Sequence, residues 1–396
     1  MNLKSKKILI GISGGIAVYK VCELVRQLSK LDCEVRVMMT ESATKFVTAL
    51  TFETLTNHEV IYRMFKPGEF TSTHHIDWAD WADCLIIAPA TANIIGKLAN
   101  GLSDDIVTTV TCAFAGPKII APAMNSNMWA NPIVQDNLAK LARFGYLCMP
   151  TEIGDLACGW TGAGRLAPYQ HIIQYVYKSM NKQTLNRKNV VISSGPTVED
   201  IDPVRFLSNR SSGKMGNALA TAAWAMGANV TLVSGPTNEL FPFEIDIYPV
   251  RSAADMEKTI GQLVKTSDLF ISAAAVADYK PKSIATDKIK KTAKRSLNLE
   301  LAETTDILAK IAKEKGKRTV VGFALETTKE LQHAKEKLKK KNLDYIIVNN
   351  PKIDGAGFET DTNIVSLIDR KGKKTDLPKL GKLELAFKLL EMVSKK

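Results

Sequence analysis

Residues 6–31 read KKILIGISGGIAVYKVCELVRQLSKL and decide the fold. The run KKILIGI has the length and apolar content of a short buried strand. The residues that share one helical face after the glycines are Tyr19, Cys22, Val25 and Leu28. A strand that passes through a glycine loop into a helix is typical of an α/β domain, and such a loop can present backbone N–H groups to a phosphate at the helix N-terminus.

Short apolar runs recur along the whole chain, separated by helix-length segments. They are CEVRVMMT, CLIIAPA, KIIAPAM and YLCMP in the first half, and NVVISSGPT, NVTLVSGPT, DLFISAAAVADY, RTVVGFALET and LDYIIVNN in the second. This alternation predicts parallel sheets covered on both faces by helices. A chain of 396 residues is long for a single core. We therefore predict an α/β fold with two doubly wound, Rossmann-like domains in series: residues 1–180, a polar linker at 181–188, and residues 189–396.

Doubly wound sheets bind ligands beyond the carboxyl ends of their strands. The unusual segments of this chain follow such strands: GISGG, MMTES, APATAN, APAMN, SSGPT, AAAVADY and GFALET. The first glycine loop is not G-x-G-x-x-G, which makes a plain NAD site a weak hypothesis. SSGKMG is not a P-loop either, because Ser208 and Met215 occupy the positions of its first glycine and its hydroxyl residue. A phosphate site at the start of that helix stays open.

Composition excludes some classes of protein. The six cysteines contain no C-x-x-C pair, which argues against a zinc site and favours free thiols in the cytoplasm. No apolar run approaches the roughly 20 residues that span a bilayer, and the N-terminal segment does not read as a signal peptide. The net charge of +12 is concentrated in late lysine runs. Those runs suit a solvated surface, a polyphosphate ligand or nucleic acid, but they lack the interleaved aromatics of a nucleic-acid binder.

Two sets of motifs carry a resemblance to known families. THHIDWADWAD, APATAN, PAMNSNMW and LACGWTGAGRL resemble the flavin-dependent cysteine decarboxylases, with threonine in place of the usual serine in the APATAN loop. GPT, DPVRFLSNRSSGKMG, AAAVADY and DKIKK resemble phosphopantothenate–cysteine ligases, although the usual arginine after GPT is missing. Together they resemble the bifunctional phosphopantothenoylcysteine decarboxylase/phosphopantothenate–cysteine ligases of coenzyme A biosynthesis.

For the first half, the resemblance implies an FMN-dependent decarboxylase. It assigns His75 as the base or electrostatic partner near the thiol, Asn125 as the amide that holds the departing carboxylate, and Cys158 as a participant in reduction of the enethiolate. A cofactor is also expected chemically, because no side chain provides the electron sink that decarboxylation needs. The FMN-binding residues it implies are Ser13, Gly14, Gly15, Thr40, Pro89, Thr91 and Asn93.

For the second half, the resemblance implies a ligase that uses CTP and Mg²⁺ to form an acyl-cytidylate from 4′-phosphopantothenate, which cysteine then attacks. Lys288 would serve acyl-cytidylate formation, and Asn209 would serve its conversion to the amide. The implied nucleotide-binding residues are Asp278, Lys288, Asp306, Ile307, Phe323, Lys337 and Lys341. The Mg²⁺ ligands stay open. The resemblance also implies a homo-oligomer, a dodecamer built from trimers and dimers.

Three alternatives compete with this reading: a nucleic-acid-binding protein, an NAD-linked oxidoreductase, and an inactive relative that acts as a regulatory binding subunit. The placement of the lysines beside a nucleotide-like crevice argues against the first. Cofactor colour separates the second from a flavoprotein. The presence of all five implied catalytic residues argues against the third.

Overall fold

The computed structural model describes residues 2–65, 74–157, 159–290, 297–325, 330–349 and 360–395. The chain divides into two compact units, Asn2–Asn181 and Lys182–Lys396. Among the described residues, no helix has both the length and the apolar character needed to cross a membrane.

The first unit is built on a five-stranded parallel sheet in the order β2-β1-β3-β4-β5, followed by an antiparallel hairpin, β6–β7. Its strands are β1 (Lys7–Ile12), β2 (Glu34–Met39), β3 (Cys84–Ala90), β4 (Lys118–Pro122), β5 (Leu147–Cys148), β6 (Glu152–Asp155) and β7 (Thr161–Arg165). Its helices are α1 (Val18–Lys30), α2 (Ala49–Thr56), α3 (His74–Trp81), α4 (Ala92–Ala99), α5 (Ile106–Ala113), α6 (Ser126–Ala130), α7 (Pro132–Arg143) and α8 (Tyr169–Met180). This sheet order is one of the two common doubly wound arrangements, which confirms the predicted fold class.

Burial explains why these segments form this sheet. Every residue of β3 is buried, as expected for a central parallel strand that is covered on both faces. Helix α1 packs through a stripe that includes Val21, Leu24 and Leu28. Tyr19, which the sequence placed on the apolar face, is 58% exposed. The buried face of α1 is therefore rotated from the one that the sequence suggested.

The second unit contains an eight-stranded sheet in the order β12-β11-β8-β13-β16-β17-β19-β20. The first six strands are parallel, β19 pairs antiparallel with β17, and β20 pairs antiparallel with β19. Its strands are β8 (Asn189–Ser194), β9 (Val198–Asp200), β10 (Phe206–Ser208), β11 (Asn229–Ser234), β12 (Asp246–Pro249), β13 (Leu269–Ser272), β14 (Tyr279–Pro281), β15 (Leu301–Glu303), β16 (Thr319–Leu325), β17 (Tyr345–Asn349), β18 (Thr362–Asn363), β19 (Val365–Asp369), β20 (Lys374–Asp376) and β21 (Leu380–Gly381). Its helices are α9 (Lys214–Ala225), α10 (Ala253–Leu263), α11 (Ile307–Lys313), α12 (Glu330–Lys340) and α13 (Lys382–Val393). Hairpins β9–β10 and β14–β15 follow the strand ends.

The stretch between the two predicted domains contacts the second unit. The N–H of Leu185 donates to the carbonyl of Met226 at 2.9 Å. Gln183 Nε2 donates to the carbonyl of Ala225 at 3.0 Å, and Leu185 is buried. Part of the segment predicted as a linker is thus held against the end of α9.

We expect Phe270→Ala to destabilise the second unit by about 3–5 kcal/mol, because removing a fully buried ring loses its burial and leaves a cavity. Phe270 lies on β13 and has no exposed surface. Differential scanning calorimetry of the full chain measures the melting temperature of this unit. Phe206→Ala, at a ring that is 54% exposed, is the control and should stay within about 0.5 kcal/mol. Equal losses in the two variants would contradict this description of the core.

Candidate active sites

In the first unit, a buried serine joins the loops that follow two neighbouring strands. Ser13 directly follows β1, and its hydroxyl donates to the carbonyl of Pro89 at 2.6 Å. The N–H of Thr91 donates back to Ser13 Oγ at 3.0 Å. Because a buried hydroxyl needs hydrogen-bond partners, these contacts hold the loops after β1 and β3 together.

Gly14 lies where the chain passes close to the loop after β2. A Cβ at this position would fall 2.5 Å from Ser42 Cβ and 2.9 Å from the Ser42 carbonyl carbon, which leaves no space for a side chain. A Cβ on Gly15 would meet Thr91 Cγ2 at 3.4 Å, which is an ordinary contact. Of these two glycines, only Gly14 is required by its surroundings.

Asn125 follows β4 and caps α6. Its Oδ1 accepts the N–H of Asn127 at 2.8 Å, which fixes the carboxamide at the start of the helix. The neighbouring Met124 N–H donates to the carbonyl of Gly164 at 2.9 Å, so the β6–β7 hairpin lies against this loop. Cys158, between β6 and β7 in the sequence, lies outside the described residues.

These loops enclose a cavity of about 1350 Å³. The sequence-predicted residues that line it are Ser13, Gly14, Gly15, Thr40, Pro89, Thr91, Asn93 and Asn125. Ligand pockets are commonly about 300–1,000 Å³, so this cavity has room for a cofactor and a substrate side by side. All seven predicted cofactor positions and one predicted catalytic residue therefore share one chamber.

Sequence reasoning missed the charged lining of this chamber. Lys20 and Arg165 both border it. Burial and the nearby Arg165 charge lower the pKa of Lys20. Lys97 also lines the chamber, but it is paired with Asp104 at 2.8 Å and Asp105 at 3.1 Å. The position of Lys20 on the helix after the glycine loop was the available signal.

His75 lies on α3, and its side chain is partly buried. Arg36 on β2 holds this helix: its guanidinium carbon is 4.3 Å from the Trp81 ring centroid and 5.6 Å from that of Trp78. Cation–π contacts of this kind stabilise a helix against a strand. His75 is not among the described residues that line the chamber, so its catalytic role stays a prediction.

The five described cysteines are free thiols. Burial raises the pKa of Cys84 to about 12 and that of Cys148 to about 11. Thiols with such pKa values carry almost no thiolate at neutral pH, which suits packing and not nucleophilic chemistry.

In the second unit, Asn209 joins two segments at the carboxyl edge of the sheet. Its Nδ2 donates to the carbonyl of Ala275 at 3.2 Å and to that of Val276 at 3.0 Å. Thr197 Oγ1 accepts the N–H of Ala277 at 2.9 Å. The GPT, LSN and AAAVADY motifs are therefore neighbours.

A second link brings predicted nucleotide-binding residues together. The N–H of Thr304 donates to the carbonyl of Asp278 at 2.9 Å. Asp306 caps α11 by accepting the N–H of Ala309 at 3.0 Å, and it pairs with Lys341 at 2.7 Å. Burial alone would raise the pKa of Asp306, but the Lys341 ammonium and the Ala309 N–H hold it below its usual value. The structure thus connects Asp278, Asp306 and Lys341.

The other predicted residues of this unit are less closely connected. Ile307 is buried as the first residue of α11, and Phe323 is partly buried on β16. Lys337 is exposed on α12, one turn before Lys341. Lys288 is exposed in the segment that follows β14.

The SSGKMG motif has a structural explanation. A Cβ on Gly216 would fall 2.3 Å from Ser194 Oγ, so this glycine lets α9 pack directly on β8. Lys214 Nζ lies 2.6 Å from Asp361 Oδ1. Packing on β8 therefore explains why residue 216 is glycine, and Asp361 is one partner of Lys214. Neither contact requires a bound phosphate.

Across the described ranges, no three histidine, cysteine, aspartate or glutamate side chains come together as a metal-binding group. The Mg²⁺ ligands therefore stay unassigned.

Comparison with known proteins matches both units. The flavoprotein family model matches residues 1–181, and the DNA/pantothenate metabolism flavoprotein C-terminal domain matches residues 185–396. The coenzyme A biosynthesis bifunctional protein CoaBC of Bacillus subtilis (strain 168) is 45% identical over 396 residues, which cover 99% of this chain and 97% of that protein. The CoaBC protein of Vibrio parahaemolyticus serotype O3:K6 (strain RIMD 2210633) is 41% identical over 392 residues, 98% of each chain. A crystal structure of the C-terminal domain of a CoaBC protein matches at 38% identity over 54% of this chain and 97% of that chain, with a TM-score of 0.47.

The fold and the two family models define a flavoprotein decarboxylase domain joined to a ligase domain of pantothenate metabolism. The chain belongs to the family of bifunctional CoaBC proteins of coenzyme A biosynthesis. It is an enzyme with both phosphopantothenate–cysteine ligase and phosphopantothenoylcysteine decarboxylase activities, which confirms the family resemblance.

We expect Gly14→Ala to weaken flavin binding by about 1–3 kcal/mol, the usual range for forcing extra atoms into a packed site. Gly96→Ala on α4 is the control, because Gly96 does not line the chamber and its Cβ would make only an ordinary contact at 3.7 Å. Flavin content after purification, measured by visible absorbance, tests the difference. Equal flavin loss in both variants would show that the approach of Ser42 does not shape this site.

Proposed function

We propose that the chain joins cysteine to 4′-phosphopantothenate with CTP and Mg²⁺, and then decarboxylates the product to 4′-phosphopantetheine with FMN. The observation that carries this proposal is the gathering of Asn125 and all seven predicted FMN positions around one cavity of about 1350 Å³.

The first unit offers a chamber that suits FMN. The start of α1 and the Gly14 turn provide backbone N–H groups for a phosphate, and the Ser13, Thr40 and Thr91 hydroxyls add polar partners. FMN, when bound, supplies the oxidation of the substrate thiol that turns the adjacent carboxylate into a leaving group. Asn93 and Pro89 complete the wall of this proposed cofactor site.

The protein residues proposed for decarboxylation have separate tasks. The Asn125 amide would hold the carboxylate through a neutral donor, because a lysine there would stabilise the ground state against loss of neutral carbon dioxide. His75 would move a proton near the thiol, since a histidine pKa lies close to cellular pH. Cys158 would take part in reduction of the enethiolate.

The ligase proposal rests on the neighbouring motifs of the second unit. The substrate carboxylate would attack the α-phosphate of CTP, release pyrophosphate and form the acyl-cytidylate, and cysteine's amine would then displace CMP. Lys288 would offset negative charge on the reacting phosphate. Asn209, held by the carbonyls of Ala275 and Val276, would offer its Oδ1 to an N–H of the attacking amine.

The proposed nucleotide site includes Asp278, Asp306, Ile307, Phe323, Lys337 and Lys341. The hydrogen bond between Thr304 and Asp278 and the Lys341–Asp306 ion pair support it, because they bring distant segments to one edge of the sheet. CTP phosphates would carry the Mg²⁺, as is usual for this ion, which retains water and binds through substrate phosphates. We also propose a homo-oligomer, a dodecamer of trimeric and dimeric contacts, on the family resemblance alone.

We expect release of labelled carbon dioxide from carboxyl-labelled cysteine only when 4′-phosphopantothenate, CTP and Mg²⁺ are all present. Omitting CTP or adding EDTA should abolish this release by stopping the ligase step. Labelled phosphopantothenoylcysteine supplied directly should restore it without CTP. Pyrophosphate and a stable phosphopantothenoylcysteine without carbon dioxide would contradict the decarboxylase assignments alone.

We expect Asn125→Asp to slow carbon dioxide release from supplied phosphopantothenoylcysteine by about ten- to hundredfold, since a hydrogen bond to a charged group is replaced by repulsion. Aspartate still caps a helix, so α6 should be kept. Asn131→Asp is the matched control: its Oδ1 caps α7 through the Ile133 N–H at 2.9 Å, but it does not line the chamber. A loss of the same size in Asn131→Asp would point to capping as the cause.

A further inference from the structure

The segment that carries Lys288 is anchored by three residues outside the proposed nucleotide site. The Ala285 N–H donates to the carbonyl of Ile201 at 3.0 Å. The Ile289 N–H donates to Asp202 Oδ2 at 3.1 Å, and the Ile289 carbonyl accepts from Arg205 Nη2 at 2.6 Å. The turn between β9 and β10 therefore hydrogen-bonds both the backbone N–H and the carbonyl of Ile289, the residue after Lys288.

The carboxylate of Asp202 holds this turn together through hydrogen bonds. One carboxylate oxygen, Oδ1, accepts the N–H groups of Val204 and Arg205, both at 2.8 Å. The other, Oδ2, accepts Nε of Arg205 at 2.9 Å and Nη2 at 2.5 Å. The Asp202 side chain has no exposed surface, and that of Arg205 is 42% exposed.

Asp202 stays ionised in this setting. Burial would raise the pKa of its carboxyl, but the Arg205 guanidinium and the N–H groups of Val204, Ile289 and Arg205 hold it well below its usual value. Because a depressed carboxyl pKa keeps its stabilisation at all pH values above the unfolded pKa, this anchor does not weaken near neutral pH.

We propose that Asp202 and Arg205 are positioning residues for Lys288, which they hold by the backbone of Ile289 so that its ammonium reaches the reacting phosphate. This inference rests on the proposed role of Lys288 in acyl-cytidylate formation. A lysine side chain is long and flexible, so the position of its backbone decides how often the ammonium is correctly placed. Displacing a catalytic group by about 1 Å can cost about a hundredfold in rate.

Arg205→Lys is the main test variant, because lysine keeps the charge but lacks the fork that joins Asp202 to the Ile289 carbonyl. Asp202→Asn is the second variant. The matched control is Arg251→Lys, since Arg251 makes the same kind of forked pair with Asp200, at 3.1 and 2.6 Å, on the same hairpin.

The assay is steady-state pyrophosphate release by the full chain from CTP, 4′-phosphopantothenate and saturating cysteine, because cysteine must discharge the acyl-cytidylate before the next turnover. We expect kcat to fall about ten- to hundredfold in Arg205→Lys and Asp202→Asn, with KM for 4′-phosphopantothenate nearly unchanged. Arg251→Lys should retain wild-type kcat. Differential scanning calorimetry checks that the second unit is folded in each variant, and decarboxylation of supplied phosphopantothenoylcysteine checks the first unit. A raised KM with unchanged kcat would overturn the inference, because it would make these residues substrate contacts.

Two further readouts separate positioning from a merely structural role. If both residues act through Lys288, Arg205→Lys should add no further loss in a Lys288→Gln background, whereas independent roles would give additive losses. Trypsin cleavage after Lys288, followed by mass spectrometry, should be faster in Arg205→Lys than in Arg251→Lys. Additive losses or unchanged cleavage would each overturn the inference. Absence of CTP-dependent pyrophosphate release in the wild type would instead overturn the proposed function on which it rests.

Discussion

A buried serine hydroxyl at the end of the first parallel strand organises each unit of this protein. In the first unit, Ser13 Oγ donates to the Pro89 carbonyl at 2.6 Å and thereby fixes the loop of a neighbouring strand. In the second, Ser194 Oγ donates to the Gly213 carbonyl at 3.0 Å and fixes the start of α9. A buried hydroxyl without partners is costly, so each serine constrains the backbone that satisfies it. The loops that line the chamber of the first unit and the loop that leads into α9 of the second are both held in this way.

The features that could be predicted from the sequence are those that depend on the local periodicity of apolar residues and on the order of motifs along the chain. The strand–helix alternation, the two doubly wound folds and the family were correct, because apolar runs and loop motifs are continuous in the chain. Contacts between distant segments were not predictable in the same way. The Lys341–Asp306 pair joins residues 35 positions apart, and the anchor between Asp202 and Ile289 spans 87. Neither contact leaves a periodic signal in the sequence. The rotated apolar face of α1 shows, in addition, that the spacing of apolar residues alone does not determine which face of a helix packs on the sheet.

Part of the positive charge of the chain is paired with acidic side chains of the same chain. The net charge of +12 suggested nucleic acid or polyphosphate as a partner. Several lysines that contribute to it are paired with acids, including Lys315 with Asp344 at 3.1 Å in a nearly buried pair. Exposed ion pairs contribute little stability, but exposed and buried pairs alike fix where the charges lie. Charges that are fixed in position favour binding of a specific anionic ligand over the non-specific electrostatic attraction that dominates nucleic-acid binding.

Asn125 and Asn209 use opposite halves of the same functional group, and this difference supports their proposed roles. Asn125 accepts a backbone N–H through Oδ1, and the proposed carboxylate contact would use the donor half of the same carboxamide. Asn209 donates to two backbone carbonyls through Nδ2, so what it adds is an acceptor. A donor suits the carboxylate that leaves in decarboxylation, and an acceptor suits the amine that attacks in ligation. An aspartate could keep the cap at position 125, but at position 209 it would lose both donations to the backbone. We therefore expect an acid to fail at each position for a different reason: at position 125 it would repel the substrate carboxylate of the proposed reaction, and at position 209 it would release the two backbone carbonyls.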